Sequence, residues 1–326
     1  MARQALVTGA AGFIGSHLVE RLVRDGWKVR AFVHYNSAGY QHNLEDLDAD
    51  IRDELEIVAG DITDPFSVDS AVAGREVVFH LASLIAIPYS YIAPAAYVAT
   101  NVTGALNVLL ACRRHGVPRV VHTSTSEAYG TAQYVPIDER HPLVGQSPYA
   151  ASKIAADKLV ESFHLSYGLP TVTVRPFNTY GPRQSPRAVV PTIVTQALHR
   201  NEIRLGNLDT IRDLTYVEDT VAGFAAAAQC DAAVGQVINL GTGTGRSVRQ
   251  IAAEVLRQLG REVPIHVDAR RVRPAGSEVQ RLECDAAKAR ALLGWRPRIE
   301  LSAGLERVID YVRRHPERYR AEVYHV

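Results

Sequence analysis

The sequence predicts an α/β protein in which a doubly wound parallel sheet is joined to a smaller mixed α/β lobe. Up to about residue 178, short apolar runs alternate with longer amphipathic segments, which is typical of βαβ units. After about residue 180 this alternation loosens, and Pro182, Pro186 and Pro191 interrupt it. The 326 residues are enough for one large domain or two coupled ones.

In the first part of the chain, the apolar runs predict strands and the amphipathic segments predict helices. The predicted strands cover 5–9, 29–33, 55–61, 77–83, 119–125 and 170–178. The predicted helices cover 16–26, about 97–115 and about 147–167. This order predicts a parallel sheet with helices on its faces.

The second part predicts a helix near 190–200, a strand over 236–243 that returns to the first sheet, and helices near 247–260 and 285–293. No clean linker separates the two parts, so we expect the two domains to interleave along the chain. The predicted domain of the large sheet comprises 1–178 and about 213–242. The predicted smaller lobe comprises about 179–212 and 243–326.

Composition and charge indicate a globular protein without a nucleic-acid partner. The chain is 47% hydrophobic and 22% charged, and its formal net charge is +1. Its three cysteines are far apart, so we expect neither a disulfide framework nor a metal site. The start MARQALVTGAAG lacks a signal-peptide core, and no uninterrupted apolar run reaches 18 residues. We therefore expect a cytoplasmic protein that has no membrane partner.

A glycine motif lies between the first predicted strand and the first predicted helix. Gly9, Gly12 and Gly15 form G-x-x-G-x-x-G. Glycine permits a tight turn and a close approach of phosphate to the backbone, while the N-terminus of the helix offers free N–H groups. In this position the motif predicts a Rossmann-type domain that binds a dinucleotide; a glycine-rich turn without a ligand is the alternative.

The string TGAAGFIGSHL, which contains this motif, resembles the opening of the extended short-chain dehydrogenase/reductase family, the NAD-dependent epimerases and dehydratases. The resemblance implies that Phe13 and Ile14 belong to the cofactor loop. It also implies adenine contacts from Asp61 and Ile62, and cofactor-ribose contacts from the loop Leu81, Ala82 and Ser83.

The resemblance departs from the family pattern after the second strand. Many NAD-using relatives carry an aspartate there for the adenosine 2′-hydroxyl, whereas this chain has Val33, followed by His34, Tyr35 and Asn36. We expect Asn36 to contact the cofactor, while His34 is either a cofactor contact or a solvated loop residue. NAD is the predicted cofactor, and NADP stays open as an alternative.

Tyr149 and Lys153 are four residues apart, so on a helix they share one face. A nearby ammonium group lowers the pKa of a phenol, which lets tyrosine act as a base near neutral pH. The pair follows a strand that ends in serine and threonine residues, among them Thr125, in a chain of dinucleotide-binding type. We therefore predict a catalytic pair acting on an alcohol; an ordinary surface pair is the alternative.

Glu127 needs a separate explanation, because oxidation of an alcohol requires no carboxylate. Within the family, Thr125-Ser126-Glu127 is similar to the string of sugar-nucleotide 4,6-dehydratases and UDP-glucuronate decarboxylases, while simple 4-epimerases lack the acid. A C4 ketone acidifies the proton at C5, which a carboxylate can remove. The resemblance implies that Glu127 is this base, that Ser126 helps to protonate the C6 hydroxyl and that Thr125 holds O4. The alternative is an acid that only favours a helix start.

Three polar residues of the second part resemble the family's substrate contacts. Asn178 matches an asparagine that reaches the substrate diphosphate, and Arg212 and Arg273 match two phosphate-binding arginines. The planar guanidinium suits phosphate because it donates two hydrogen bonds at once. Each arginine alone is otherwise an ordinary surface residue. Val189, Val190 and Leu205 are candidates for the base pocket, with core packing as the alternative.

Together these residues predict an NAD-dependent nucleotide-sugar 4,6-dehydratase. The closest resemblance is to the legionaminic-acid type of UDP-N-acetylglucosamine 4,6-dehydratase, carried by HLASLIAIPYSYIAP and RPFNTYGPRQS. The loop 84–94 has neither an acid nor an arginine, which counts against the UDP-glucuronate decarboxylase. That decarboxylase, a 4-epimerase, a 5,6-dehydratase and a non-catalytic NAD(P)-binding regulator remain alternatives. By the same resemblance, helices near 97–115 and 147–167 predict a homodimer.

Overall fold

The computed structural model describes residues 2–322. It confirms the predicted α/β fold class, with strands and helices that alternate along the first part of the chain. The strands are β1 Gln4–Thr8, β2 Lys28–His34, β3 Leu55–Gly60, β4 Val77–His80, β5 Arg119–Thr123, β6 Thr171–Pro176, β7 Asn178–Tyr180, β8 Ile203–Leu205, β9 Ile211–Tyr216, β10 Val237–Leu240, β11 Gly245–Ser247 and β12 Ile265–Val267.

The helices pack on both faces of the large sheet and continue into the second part of the chain. They are α1 Phe13–Arg24, α2 Ala49–Asp53, α3 Pro65–Val72, α4 Ile87–Ile92, α5 Pro94–Tyr97, α6 Gly104–Arg114, α7 Pro148–Tyr167, α8 Val189–His199, α9 Val217–Gln229, α10 Val248–Leu259, α11 Ala287–Leu293 and α12 Leu301–Arg314. A π-helical segment, Val98–Thr103, joins α5 to α6 in one helical stretch.

The large sheet has seven parallel strands in the order β10-β6-β5-β4-β1-β2-β3. The order reverses at β1, which pairs with β2 on one side and β4 on the other. At such a point the connections leave in opposite directions and open a crevice at the carboxyl ends of the strands. The expected return of the strand near 236–243 is confirmed, since β10 pairs with β6.

The predicted strand over 170–178 is divided between two sheets. β6 belongs to the large sheet, whereas β7 lies in a small sheet of order β11-β9-β7. Phe177 separates them, is buried and donates its backbone N–H to the carbonyl of Leu240 at 2.8 Å. The chain thus passes between the sheets next to Asn178, and the domain boundaries given above stay a prediction.

The sequence did not predict the short helices α2, α4 and α5, nor the longer helices α3, α9 and α12. Asp64 caps α3 by accepting from the N–H groups of Phe66 and Ser67. α9 follows β9 without an intervening turn residue. α12 contains Gly304, which lowers helix propensity. A Cβ at Gly304 would lie 2.1 Å from the Tyr180 hydroxyl, so close packing requires glycine there.

The helical stretch Pro94–Arg114 is long enough and apolar enough to cross a membrane by length and composition. Half of that stretch is buried inside the fold. Asn101 and Asn107 on it are buried and donate hydrogen bonds to Ser152 and to the carbonyl of Ile62. Burial and polar contacts of this kind are those of a core helix.

Candidate active site

The glycine motif forms the turn between β1 and α1. Gly9 has φ +70°, and a Cβ there would lie 2.8 Å from the backbone nitrogen of Ala82. A Cβ at Gly15 would lie 2.1 Å from the carbonyl oxygen of Gly9. Within residues 2–322, no side chain caps the N-terminus of α1, where Gly12 is the cap residue. The first N–H groups of α1 are therefore available to an anionic ligand such as a pyrophosphate.

We expect Gly15→Ala to weaken dinucleotide binding by about 10- to 100-fold, because relief of this overlap costs about 1–3 kcal/mol or displaces the loop. Isothermal titration with NAD measures the affinity, and thermal unfolding reports the integrity of the fold. Gly276→Ala is the matched control, since a Cβ at Gly276 meets no atom within 4 Å. Unchanged affinity in a folded Gly15→Ala protein would contradict this role of the turn.

The loop of Leu81, Ala82 and Ser83 lies directly against the glycine turn. The backbone N–H groups of Leu81 and Ala82 both donate to the Thr8 hydroxyl at 3.1 Å. The Ser83 hydroxyl donates to the carbonyl of Leu81 at 3.4 Å. The structure therefore brings the loop and the glycine turn together at the crevice beside β1, while the contacts predicted for Phe13 and Ile14 stay a prediction.

The end of β2 carries an apolar side chain where the family's aspartate was expected. Val33 is buried in the main core. The Asp61 carboxylate accepts from the N–H and hydroxyl of Thr63, both at 2.8 Å, and these bonds lower its pKa together with the charge of nearby His34. Ile62 is buried. Asn36 holds its own loop, accepting from the Tyr40 N–H and donating to the Tyr40 carbonyl.

The predicted catalytic pair, Tyr149 and Lys153, lies in the first part of α7. Ser147 caps this helix by accepting from the N–H of Ala150, and Pro148 occupies its first turn, where a missing N–H has no cost. This start places Tyr149 in the first turn, with its ring edge-to-face against Tyr97 at 6.2 Å between centroids. Burial raises the pKa of Tyr97 to about 12, so Tyr97 stays a neutral phenol.

A turn at the end of β5 holds Thr125 and Glu127 together. The Thr125 hydroxyl accepts from the N–H of Glu127 at 3.2 Å and caps the short turn Ser126–Tyr129. Thr125, Ser126 and Glu127 are all buried. Burial raises the pKa of Tyr149, a hydrogen bond with Thr125 opposes this rise, and the Glu127 carboxylate adds to it. Glu127 therefore lies within electrostatic reach of the phenol.

Lys153 is buried one turn below Tyr149, and its ammonium donates to the carbonyl of Thr123 at 2.6 Å. Burial lowers the pKa of Lys153 to about 8, and the carboxylate of Asp157 opposes that lowering. A lysine with such a pKa holds its proton near neutral pH but gives it up readily. The structure thus brings Thr125, Glu127, Tyr149 and Lys153 into one cluster, as the sequence predicted.

The two predicted phosphate arginines share one acid that sequence reasoning missed. Glu278 lies 3.3 Å from Arg212 and 3.5 Å from Arg273. Burial lowers the pKa of Arg212, while the carboxylates of Glu127 and Glu278 raise it. Arg212 is therefore electrostatically linked to both the catalytic cluster and Arg273. Glu278 follows Arg273 by five residues, but its spacing alone carries no pattern that distinguishes it from a surface acid.

Asn178 begins β7, and its side-chain oxygen is buried without a hydrogen-bond partner among residues 2–322. A buried acceptor of this kind leaves a hydrogen bond for a ligand to supply. Val190 and Leu205 are 1% and 3% exposed and belong to the main core, and Val189 packs against it. Their predicted contact with a base is not visible in this packing.

The segment after Arg273 reaches across to the catalytic side through two contacts that were not predicted. The Tyr91 and Ser277 hydroxyls are 2.6 Å apart, and the Gln146 amide donates to the carbonyl of Gly276 at 3.0 Å. These contacts join the segment after Arg273 to α4 and to the residue that precedes the cap of α7. Among residues 2–322, no group of three or more histidine, cysteine or acidic side chains is arranged to hold a metal ion.

Comparisons with known proteins agree with this geometry. The family model described as GDP-mannose 4,6 dehydratase matches residues 6–308. A UDP-glucose 4-epimerase of Mycolicibacterium smegmatis is 35% identical over 95% of this chain and 98% of its own. A dTDP-glucose 4,6-dehydratase of Streptomyces antibioticus is 35% identical over 94% of this chain and 92% of its own. The solved structure of DesIV, a dTDP-glucose 4,6-dehydratase from Streptomyces venezuelae with NAD and TYD bound, superposes with TM-score 0.87 at 31% identity, covering 97% of this chain and 98% of that one.

Proposed function

Because the chain belongs to the extended short-chain dehydrogenase/reductase family of nucleotide-sugar dehydratases and epimerases, we propose that it is an NAD-dependent nucleotide-sugar 4,6-dehydratase. UDP-N-acetylglucosamine or a related UDP-hexose is the proposed substrate. One observation carries the choice among the family's reactions. A carboxylate, Glu127, is buried beside the catalytic phenol of Tyr149, where C4 oxidation alone has no use for it.

NAD fits the residues at the crevice. The glycine turn leaves no room for a Cβ at Gly9 or Gly15, and the N-terminus of α1 faces this turn with free N–H groups. The DesIV structure that resembles this chain holds NAD. When bound, NAD supplies the acceptor for the hydride of C4 and the donor that returns it at C6. No arginine replaces the missing aspartate at Val33, so we propose NAD rather than NADP.

Tyr149 acts as the base at the sugar's O4. Its phenolate removes the hydroxyl proton as C4 becomes a ketone, and the Lys153 ammonium one turn away stabilises the phenolate charge. Thr125, hydrogen-bonded to the phenol, holds O4 beside Tyr149. Burial of all three groups excludes water, so their mutual electrostatic effects are larger than they are in solution.

Glu127 carries the second half of the reaction. With a ketone at C4, the C5 proton is acidic, and the Glu127 carboxylate removes it. The bond between C6 and its hydroxyl oxygen then breaks, and the proton held by Glu127, assisted by Ser126, leaves with that oxygen as water. Return of the C4 hydride to C6 and addition of a solvent-derived proton at C5 complete the 4-keto-6-deoxy sugar. Placed proton transfer of this kind contributes about 10²- to 10⁴-fold to rate.

Arg212, Arg273 and Asn178 are the proposed anchors of the diphosphate. Arg212 is linked electrostatically to Glu127 and Arg273, so an anchored diphosphate places the sugar beside the catalytic cluster. The Asn178 amide would donate through Nδ2 to the diphosphate, and its unpartnered Oδ1 is left to accept from a hydroxyl or N–H group of the nucleotide sugar. The side chains of Val190 and Leu205 are packed in the core. We propose that only the backbone of these two residues contacts the nucleotide base.

Mass spectrometry tests the proposal. The purified protein is incubated with UDP-GlcNAc, UDP-glucose, UDP-glucuronate and GDP-mannose. A product lighter by one water from one donor supports the dehydratase, and deuterium uptake at C5 from heavy water supports the role of Glu127. Loss of carbon dioxide from UDP-glucuronate makes the protein a decarboxylase. A product of unchanged mass and altered retention makes it a 4-epimerase, the second candidate because of the similar mycobacterial epimerase.

A homodimer is proposed through the surfaces of α6 and α7. Leu110 on α6 and Leu165 and Tyr167 on α7 are exposed, and Leu165 is exposed over 76% of its area. Such a patch on adjacent helices favours association with a second copy. Light scattering after size exclusion should give twice the mass of the 35.7 kDa chain. A monomer at micromolar concentration would contradict this. We also propose a cytoplasmic location.

A further inference from the structure

The inner face of α7 carries a buried carboxylate that the reaction above does not use. Asp157 follows Lys153 by four residues, so the two side chains share one face of the helix. The Asp157 side chain is 6% exposed. Burial of a charged carboxylate is strongly unfavourable unless nearby groups stabilise its charge.

Three groups stabilise the charge of Asp157, one as a cation and two as hydrogen-bond partners. The Arg175 guanidinium on β6 donates to one oxygen of Asp157 at 2.7 Å. The Ser124 hydroxyl donates to the same oxygen at 2.6 Å, and Nε2 of His122 lies 3.1 Å from the other oxygen. The Nε of Arg175 also donates to the Ser124 hydroxyl at 3.1 Å. These bonds fix the position of the carboxylate from two neighbouring strands.

Three successive residues at the end of β5 hold the two buried charged side chains of α7. His122 and Ser124 bind Asp157 through their side chains, which alternate to the same face. Thr123 lies between them and accepts the Lys153 ammonium through its carbonyl. The ammonium and the carboxylate are thus held at one place on the strand, directly below the end that carries Thr125 and Glu127.

The groups around Lys153 leave Asp157 as its source of negative charge within the core. Burial lowers the pKa of His122 on β5 and of His80 on β4, so both imidazoles are neutral near neutral pH. Arg175 on β6 is a cation. Burial works to raise the pKa of Asp157, but Arg175, His122 and Ser124 lower it well below its usual range. The Asp157 charge opposes the loss of the Lys153 proton.

We propose that Asp157, braced by Arg175, His122 and Ser124, is a positioning residue that keeps Lys153 charged for its work on Tyr149. The proposal rests on the role of the Tyr149–Lys153 pair in the proposed function. Asp157 touches neither substrate nor cofactor in this assignment. Its charge raises the pKa of Lys153 and also that of Tyr149, but on Tyr149 it acts more weakly than burial, Glu127 and Tyr97, so its main effect is on the lysine. The buried network is therefore part of the catalytic machinery as well as of the core.

Removal of the Asp157 charge should lower the pKa of Lys153. Asp157→Asn leaves the Arg175 cation uncompensated beside a second cation, so Lys153 loses its proton at lower pH. Tyr149 and Lys153 titrate as a coupled pair. When the pair carries one proton, that proton then lies more often on the Tyr149 phenol than on Lys153. The active form, which has a phenolate and an ammonium group, becomes less populated.

The chain offers a direct measurement, because it contains only four lysines: Lys28, Lys153, Lys158 and Lys288. NMR of protein labelled with ¹³C at lysine Cε therefore gives four side-chain resonances, and Lys153→Met assigns the one of interest. In the parent protein Lys153 should titrate near pH 8. In Asp157→Asn its midpoint should fall by about one to three pH units.

Three further variants separate charge from structure. Asp157→Glu keeps the charge and should leave the midpoint close to that of the parent protein. Arg175→Gln removes a cation and should raise the midpoint, and its combination with Asp157→Asn should return it toward the parent value. Glu161→Gln is the matched control on the same helix, since Glu161 is an exposed acid paired with Lys158. An unchanged Lys153 midpoint in folded Asp157→Asn or Arg175→Gln overturns the proposal.

The rate of C4 oxidation gives a second readout. Asp157→Asn should lower the plateau rate about tenfold for each unit by which the lysine pKa falls relative to that of the tyrosine. The acid limb of its pH profile should move to lower pH, whereas a merely structural defect lowers the plateau without moving the limb. If no donor on the panel is oxidised, the proposed function fails, while the lysine titration still decides the role of Asp157.

Discussion

Glu127→Gln should abolish dehydration while C4 oxidation continues. The amide keeps the shape of the side chain but cannot remove the C5 proton, so we expect dehydratase turnover to fall by about 10²- to 10⁴-fold. Tyr149, Lys153 and Thr125 are untouched, and the 4-keto hexose should still form on the enzyme. Quenching with borodeuteride traps that ketone as a deuterated alcohol, which mass spectrometry of the sugar nucleotide detects.

Heavy water separates this interpretation from a general loss of activity. The parent protein should incorporate deuterium at C5, whereas Glu127→Gln should not. Ser126→Ala is the neighbouring control and should retain C5 exchange with a smaller loss of turnover, because the serine only assists the leaving hydroxyl. Full dehydratase turnover in Glu127→Gln would exclude the carboxylate as the C5 base and show that another group removes the C5 proton.

Tyr149→Phe should stop the reaction before the ketone forms. The variant keeps the ring against Tyr97 and removes only the hydroxyl, so the fold should be retained. Loss of the base at O4 should lower C4 oxidation by about 10²- to 10⁴-fold. The borodeuteride trap, which is positive in Glu127→Gln, should be empty in Tyr149→Phe, and the double variant should behave like Tyr149→Phe.

Tyr97→Phe is the matched control for this second change. Its hydroxyl donates to the carbonyl of Ala86, so turnover should remain within a few-fold of the parent protein. Substantial ketone formation by Tyr149→Phe would show that another group removes the O4 proton. Thr125, which is hydrogen-bonded to the phenol, would then be the next residue to change.

The periodic part of the fold was predictable because local pattern and tertiary structure agree there. Buried parallel strands produce continuous apolar runs, and Gly9 and Gly15 mark a turn that excludes any side chain. Tyr149 and Lys153 were identifiable because residues four apart on a helix lie on the same face. Thr125 and Glu127 were identified differently, by the resemblance of Thr125-Ser126-Glu127 to a string of the family.

The rest depends on contacts between segments that are distant in sequence. Glu278 gains its meaning from Arg212, which lies 66 residues earlier, and no local pattern joins them. The division of β6 from β7 at Phe177 depends on pairing with β10 and β9, because the apolar run itself is continuous. Asp157 was not predicted, although the sequence offered a signal for it: Asp157 follows Lys153 by four residues, the same interval that separates Tyr149 and Lys153.

The shared acid between the two arginines has a consequence for turnover. Two guanidinium groups and the Glu278 carboxylate leave one net positive charge, whereas the diphosphate of a nucleotide sugar is a dianion. Substrate and product carry the same diphosphate, so dehydration of the sugar does not lower the affinity of the arginines for that group. A site with an uncompensated pair of cations would retain the product as firmly as it captured the substrate. In the proposed site, the Glu278 carboxylate would therefore weaken diphosphate binding and speed the release of product.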